Sequence, residues 1–339
     1  VVGMRLLMLG GTEFVGRAMV EAALGRGWEV TVFHRGRHQP PPGVRSLIGD
    51  RTAPDGLAAL AEAVAGGAQE WDVVVDTWSA APRAVRDTAR LLAGAARRYV
   101  YVSSCSVYAW PPAAGYTEEA PLVADASADA EQTDYARDKR GGELATLDAF
   151  GAERSLLVRS GLILGPYENI GRLPWWLTRT ARGGPVLAPG PRELPLQYVD
   201  VRDLAEWTLG AAERGLNGAY NLISPQGHTT TGELLDACVR VTGGAAELRW
   251  TDPEVILDAG IEPWTQLPVW APPKSEGHAA LHSADVSRAL RDGLRCRPVA
   301  ETVADTWAWL QDIGGVAPGR PDRPPVGLDP EVEAKVLGV

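Results

Sequence analysis

The chain has 339 residues, enough to bury a sizeable core as one large domain carrying a smaller lobe. Hydrophobic residues make up 45% and charged residues 22%, an ordinary globular balance, and the formal net charge of −10 excludes a general polyanion-binding surface. Cys105, Cys238 and Cys296 are isolated and odd in number, which argues against a disulfide framework or a Cys-x-x-Cys metal site and fits a reduced, cytoplasmic setting. No stretch reaches the length that spans a bilayer, and the apolar run near the N-terminus leads into a glycine turn rather than a cleavage site. Met4 is a candidate natural start, with Val1-Val2-Gly3 as a leader.

Leu6 to Leu9 reads as a short buried strand that stops at Gly10-Gly11. From Phe14 the apolar residues fall at helical spacing, through Val15, Ala18, Met19, Ala22 and Ala23. Strand, glycine turn and helix open a nucleotide-binding βαβ unit, in which the turn lets the backbone approach a pyrophosphate and the helix N-terminus favours the anion. Gly10, Gly11, Thr12, Phe14, Val15 and Gly16 are therefore candidate cofactor contacts, with Gly16 allowing close packing of helix on strand.

Glu29 to Phe33 is the second strand, and it delivers His34-Arg35-Gly36-Arg37. A carboxylate at this point would suit the ribose 2′-hydroxyl of NAD, whereas arginine suits a 2′-phosphate. The sequence has two arginines and no acid there, so NADP(H) is expected in preference to NAD(H), with His34, Arg35 and Arg37 as contacts. Val44 to Ile48 is a third strand ending at Gly49-Asp50-Arg51, Asp55 to Ala65 a helix, Asp72 to Val75 a strand, Pro82 to Arg97 a helix and Tyr99 to Ser103 a strand. This alternation predicts an α/β fold, a doubly wound parallel sheet of the Rossmann type with its ligand crevice at the strands' C-terminal ends. Asp50, Arg51, Thr77 and Ser104 fall at those ends.

Thr133 or Asp134 can cap a helix running to Phe150, and Arg154 to Arg159 is a further strand. Beyond Gly165-Pro166, segments such as Pro174-Trp175-Trp176, Gly183-Gly184-Pro185 and Trp264 through Pro273 suggest an irregular, aromatic-rich lobe. Helices are expected at Val201–Glu213, Thr231–Thr242 and Val299–Asp312, followed by an extended Pro/Gly-rich tail and a short final helix capped by Asp329. The organisation expected is a dinucleotide-binding domain over 1–165, to which parts of 195–225 return, a smaller substrate lobe over 166–315, and a tail over 316–339.

Tyr135 and Lys139 are one helical turn apart and share a face. Lysine is scarce: Lys139, Lys274 and Lys335 are the only ones. An ammonium beside a phenol favours the phenolate, so Lys139 would prepare Tyr135 as acid and base, while Ser104 would hold a substrate oxygen.

The motifs Gly10-Gly-Thr-Glu-Phe-Val-Gly16, Gly49-Asp50, Tyr101-Val-Ser-Ser-Cys-Ser-Val-Tyr108, Tyr135-Ala-Arg-Asp-Lys139 and Val158-Arg-Ser-Gly-Leu-Ile-Leu-Gly-Pro166 occur in the order of the extended short-chain dehydrogenase/reductases. Over residues 4 to 312 the chain resembles that NAD-dependent epimerase/dehydratase-like group, in an atypical branch. The resemblance implies a Rossmann domain with a C-terminal substrate lobe and a Ser104/Tyr135/Lys139 triad. It also implies that Asp50 meets the adenine and Lys139 the nicotinamide ribose, and that a homodimer is possible.

Three departures narrow the expectation. Glu13 stands where the family pattern has a second glycine, Ser104-Cys105-Ser106 replaces the Thr-Asp-Glu of the dehydratases, and Leu162 replaces the asparagine that contacts a sugar-nucleotide diphosphate. Trp78, Trp110, Trp175, Trp176, Trp264 and Trp270 would instead line an aromatic pocket for a small molecule, such as a secondary metabolite. The expectation is an NADP(H)-dependent oxidoreductase acting on a carbonyl, imine or alcohol carbon, without metal, nucleic-acid or membrane partners. Two alternatives stay open: an epimerase of a sugar-like substrate with tightly bound cofactor, and a non-catalytic scaffold that binds RNA or a protein.

Overall fold

The computed structural model describes residues 3–339; Val1 and Val2, part of the leader reading, lie outside them. The N-terminal half alternates strand and helix: β1 (Arg5–Leu9), α1 (Phe14–Gly25), β2 (Glu29–His34), β3 (Arg45–Ile48), α2 (Ala58–Val64), β4 (Trp71–Asp76), α3 (Pro82–Leu92), β5 (Ala96–Ser104), α4 (Tyr135–Phe150) and β6 (Ser155–Ser160). Then come α5 (Arg172–Ala181), β7 (Gly184–Pro189), α6 (Val201–Glu213), β8 (Gly218–Leu222), α7 (Thr231–Val241) and β9 (Ala246–Thr251), before the helices Val299–Asp312 and Pro330–Leu337.

Seven strands form one sheet in the order β8-β6-β5-β4-β1-β2-β3, and every pairing in it is parallel. This is the doubly wound Rossmann arrangement. The order reverses between β1 and β4, the topological switch point where such sheets open their ligand crevice. Leu9 pairs with both Phe33 and Asp76, and Asp76 pairs with Tyr101, so the C-terminal ends of β1, β2, β4 and β5 come together at one edge. The interior strands are continuous apolar runs because both faces are covered. On one side Leu6, Met8, Val73 and Val75 pack with Met19 and Val20 of α1 and Leu204 of α6; on the other Leu7, Leu9 and Val74 meet Val85 of α3 and Ala145 of α4.

A second cluster, built on Leu173, Trp176, Val186, Leu187, Leu234 and Leu310, holds the C-terminal lobe together. Its small parallel pair of β7 and β9 contains Gly184 and Pro185, and Pro174-Trp175-Trp176 lies inside α5, so these segments are regular rather than irregular. Trp176 is buried and its Nε1 donates to the Pro268 carbonyl at 2.7 Å. The helix expected to run to Arg97 ends at Leu92, because Ala96 to Arg98 are drawn into β5 beside β4. No helix among the described residues is long and apolar enough to cross a membrane.

One ion pair bridges the loops under the sheet edge. Arg51 donates to both carboxylate oxygens of Asp76, at 2.7 and 2.8 Å, with the Asp76 side chain inaccessible to solvent and that of Arg51 nearly so. Tyr99 donates its hydroxyl to the same carboxylate at 2.5 Å, and the Trp78 amide adds a fourth bond at 3.0 Å. Burial pushes the Asp76 carboxyl up, but the Arg51 charge and these bonds outweigh it and hold the group below its ordinary value. Breaking one partner of such a pair leaves a bare buried charge, so Arg51→Met is expected to cost about 3–5 kcal/mol in chemical denaturation, and Arg51→Met with Asp76→Leu far less. The pair's contribution is present above the unfolded carboxyl value near ~3.9 and is lost as pH falls through the lower folded value.

Candidate active site

The opening loop is shaped by three close approaches. Gly10 sits at φ +88°, a conformation other residues rarely adopt, and a side chain on it would meet Thr77 Oγ1. A Cβ on Gly16 would lie 2.3 Å from the Gly10 carbonyl oxygen and 2.9 Å from Gly11 Cα, so the first turn of α1 rests directly on the loop. Gly11 is enclosed by Met8, Val20 and Val32. Phe14 is buried beneath the turn, whereas Thr12 and Val15 are half-buried at its rim. Glu13, the N-cap of α1, makes no side-chain cap bond, and its carboxylate lies 3.5 Å from His38 Nε2. Among the described residues the first-turn amides have no side-chain acceptor. Amides without a cap, over a glycine turn at a helix N-terminus, fit a dinucleotide pyrophosphate.

At the neighbouring strand ends, Arg35 and Arg37 are exposed and both act electrostatically on Asp50. The Asp50 carboxylate accepts from the Thr52 hydroxyl at 2.6 Å and amide at 2.9 Å; those bonds first, then the two arginines, keep it below its ordinary value. His34 does not offer its ring to a ligand in the same way. It is buried, its Nδ1 accepts the Gly36 amide at 3.1 Å, and its Nε2 sits 3.1 Å from Ser46 Oγ, an arrangement suited to the neutral ring that burial favours. Thr77 stands beside Gly10, its hydroxyl 3.5 Å from the Leu9 carbonyl. Arg51 corrects the expectation: its guanidinium is consumed by Asp76, Thr88 and the Ala84 carbonyl, and it is turned inward instead of toward a cofactor.

Tyr135 is the first residue of α4, because Asp134 caps the helix by accepting the Arg137 amide at 3.0 Å. Its side chain is 42% exposed, open to a ligand. Lys139, one turn on, is buried: its Nζ donates to the Val102 carbonyl at 2.7 Å and the Trp78 carbonyl at 3.1 Å, with the Tyr101 ring 5.0 Å away. Val102 lies two residues before Ser104 on β5, so this ammonium ties the Tyr135 face of α4 to the strand end that carries Ser104. Ser104 Oγ accepts the Ser106 amide at 3.0 Å, and its own proton stays available for donation. Burial drives the Lys139 ammonium down to about 7; Asp76 opposes this, while Arg320 and Arg323 reinforce it.

The model of the NAD dependent epimerase/dehydratase family matches residues 6–222. The chain belongs to that family. No individual curated protein matches significantly in sequence. Among solved structures, the Bordetella bronchiseptica enzyme WbmH in complex with NAD+ is 18% identical, with a TM-score of 0.67 over 92% of this chain and 99% of that one. A putative epimerase from Burkholderia cenocepacia is 19% identical, with a TM-score of 0.68 over 91% and 98%. UDP-N-acetylglucosamine 4-epimerase from Methanobrevibacter ruminantium, in complex with UDP-N-acetylmuramic acid, is 15% identical, with a TM-score of 0.67 over 92% and 100%. These likenesses are of fold.

Of the tryptophans expected to line an aromatic pocket, Trp175, Trp176, Trp264 and Trp270 belong to the core of the second lobe and Trp78 to that of the sheet. Trp176 and Trp270 are core residues, the latter 2% exposed with its Nε1 3.3 Å from the Gly190 carbonyl. Trp175 packs edge-on against Trp176, and Trp110 is 64% exposed. Trp264 lies under the Arg172 guanidinium, 4.8 Å from its centre, and Trp78 lies under that of Arg51 at 4.8 Å. Sequence reasoning put Asp76 at a strand end and Tyr101 in a motif but gave neither a role at Lys139, whose charge Asp76 favours and whose ammonium lies 5.0 Å from the Tyr101 ring. Their only signal was a polar residue ending an apolar strand and a tyrosine in the middle of one.

The burial of Lys139 has a measurable signature. Unfolded, lysine titrates near ~10.4, so between about 7 and that value the unfolded chain binds more protons and stability rises with pH. Denaturation curves over this range should show that rise for the natural chain, and Lys139→Met should flatten it. Gly16→Ala is expected to push the loop off α1 and weaken dinucleotide binding, read by calorimetric titration with NAD+.

Proposed function

We propose that this protein is a nicotinamide-dinucleotide-dependent epimerase that acts on a sugar-like alcohol. The observation that carries the reading is the Lys139 ammonium bonded to Val102 and Trp78, which sets Tyr135 and Ser104 at one end of the sheet in a chain of this family. In that setting Tyr135 takes the proton of a substrate hydroxyl, and Ser104 donates to the same oxygen as it becomes a carbonyl. The charge of Lys139 favours the phenolate while the proton is away. A nicotinamide held on the glycine loop would supply a reversible acceptor for the hydride; with hydride returned to the opposite face of the carbonyl and the proton restored by Tyr135, the carbon would be inverted with no net redox change. The loop Gly10 to Gly16 would hold the pyrophosphate, Asp50 the adenine end, and Thr77 would flank the loop. Elimination of water is disfavoured because Cys105 and Ser106 provide no acidic pair after Ser104.

Net reduction with NADP(H) is a second reading, and Arg35 and Arg37 favour it. Both are exposed just after β2, in a His34-Arg35-Gly36-Arg37 stretch that carries no carboxylate of its own. The two readings separate in one experiment. Purified protein is supplied with isomeric sugar nucleotides and its cofactor, and epimer formation is followed by proton NMR alongside the absorbance of reduced nicotinamide. Isomer exchange without net absorbance change supports the epimerase; stoichiometric consumption of NADPH by a carbonyl compound replaces it with a reductase. Tyr135→Phe should lower turnover by ~10²–10⁴-fold in either case. Arg35→Ala should weaken NADPH binding and spare NADH if the 2′-phosphate is read there.

A further inference from the structure

The segment between the Val299–Asp312 and Pro330–Leu337 helices is exposed over much of its length, yet it is pinned at both ends. Trp309 and Leu310 are buried before it, and Leu328 after it. The Gly327 amide donates to the Thr265 carbonyl at 2.9 Å, and a Cβ on Gly327, at φ +121°, would strike the Trp175 indole. Beyond it the buried carboxylate of Glu333 accepts from Arg179 at 2.7 Å and from the Leu187 amide at 3.1 Å. The pinned segment lays Arg323 on the catalytic tyrosine, with its guanidinium carbon 5.5 Å from the centre of the Tyr135 ring.

Arg172, the first residue of α5, approaches from the other lobe element. It is half-buried: burial lowers its pKa, the Glu168 carboxylate opposes that, and Arg323 lowers it further, with Tyr135 also in range. Arg320 and Arg323 both act on Lys139. Among the described residues neither the Arg172 nor the Arg323 guanidinium makes an ion pair or a side-chain hydrogen bond. The carboxylates around them are already committed. Asp322 is bound to Arg320, Glu168 caps α5 through the Arg172 and Leu173 amides, Glu143 is held by Arg159 and Arg140, and Asp76 by Arg51. Elsewhere in the chain, sheltered arginines such as Arg179, Arg202 and Arg297 are all paired. Two guanidinium groups within electrostatic reach of each other, neither in an ion pair and opposed only by the helix-capping Glu168, in a chain of net charge −10, make an arrangement that a further anion would relieve.

We propose that Arg172 and Arg323 form a subsite beside Tyr135 for an anionic group, a carboxylate or a phosphate, carried on the reacting part of the substrate. The guanidinium fork matches either oxyanion bidentately, and the Trp264 face keeps that of Arg172 in place. The inference rests on Tyr135 being the catalytic group, because proximity to its ring is what locates the anion on the reacting moiety.

The test titrates the full chain with glucuronate, glucose 1-phosphate and glucose, followed by tryptophan fluorescence, and separately with NAD+. One or both anionic sugars should bind, glucose should not, and Arg323→Ala and Arg172→Ala should each weaken the anion about tenfold or more, with Arg323→Lys between. Binding of glucuronate alone assigns a carboxylate, and of glucose 1-phosphate alone a phosphate. Arg323 lies on an exposed segment, so its variant reports even if Arg172→Ala fails to fold. Anionic sugars that bind no better than glucose, or equally well to Arg323→Ala, overturn the subsite. Loss of NAD+ binding with arginine-dependent anion binding intact would remove the cofactor reading and leave the subsite standing.

Discussion

The candidate chemistry depends on one buried ammonium. Among the described residues no carboxylate is bonded to Lys139; two of its three N–H donors go to the carbonyls of Val102 and Trp78. A lysine taken out of water loses its charge readily unless an anion lies within reach. Here the anion is Asp76, one layer behind, and its own charge is balanced by Arg51. The result is graded: Arg51 holds Asp76 ionised, Asp76 partly offsets the burial of Lys139, and Lys139 rests close to neutrality in pH. A direct Lys–Asp ion pair in its place would fix the ammonium fully charged and leave it less able to respond to a phenolate forming one turn away.

The same geometry explains why α4 sits where it does. A helix of this length could cross β5 at several heights, since its packing face contains glycines and alanines. Gly142 leaves room for the Tyr101 ring, which a Cβ would meet at 2.4 Å, and Gly141 accommodates Pro82 and the Ser127 carbonyl. The Tyr101 hydroxyl then donates to the Trp78 carbonyl at 2.7 Å, the oxygen that Lys139 also uses. Small residues set the depth of the helix, and the shared carbonyl sets its position along the strand. Together they place Tyr135 at the end of β5.

Much of this could be read from local pattern. The glycine turn, the Tyr135–Lys139 spacing and the Asp134 cap depend on residues a few positions apart, and periodicity reports such relations directly. The Arg51–Asp76 pair was invisible for the opposite reason: its partners are 25 positions apart and meet only because their strand ends share an edge. Reading Arg51 as a cofactor contact was reasonable from its place after Gly49-Asp50, but a local pattern does not say which way a guanidinium turns. Trp175 and Trp176 carried a similar ambiguity. Beside Pro174 they suggest a loop, yet Pro174 falls in the first turn of α5, where its missing amide costs nothing. The tail was legible as extended, but not its route across Tyr135, which long-range contacts at Leu328 and Glu333 impose.

That route gives the tail a role that its composition conceals. A Pro/Gly-rich segment without secondary structure usually follows the surface with few constraints. This one is held by a glycine that only a bare backbone could replace, at Trp175, and by a carboxylate buried at Glu333. Burying Glu333 between Arg179 and the Leu187 amide requires good pairing to offset lost hydration. Such an anchor does little for a free end, but it does fix the position of the segment before it. That anchor holds Arg323 against a partly exposed tyrosine, where among the described residues its guanidinium makes no ion pair. From that position the arginine adds its charge to the balance at Lys139 that Asp76 and Arg51 set from beneath.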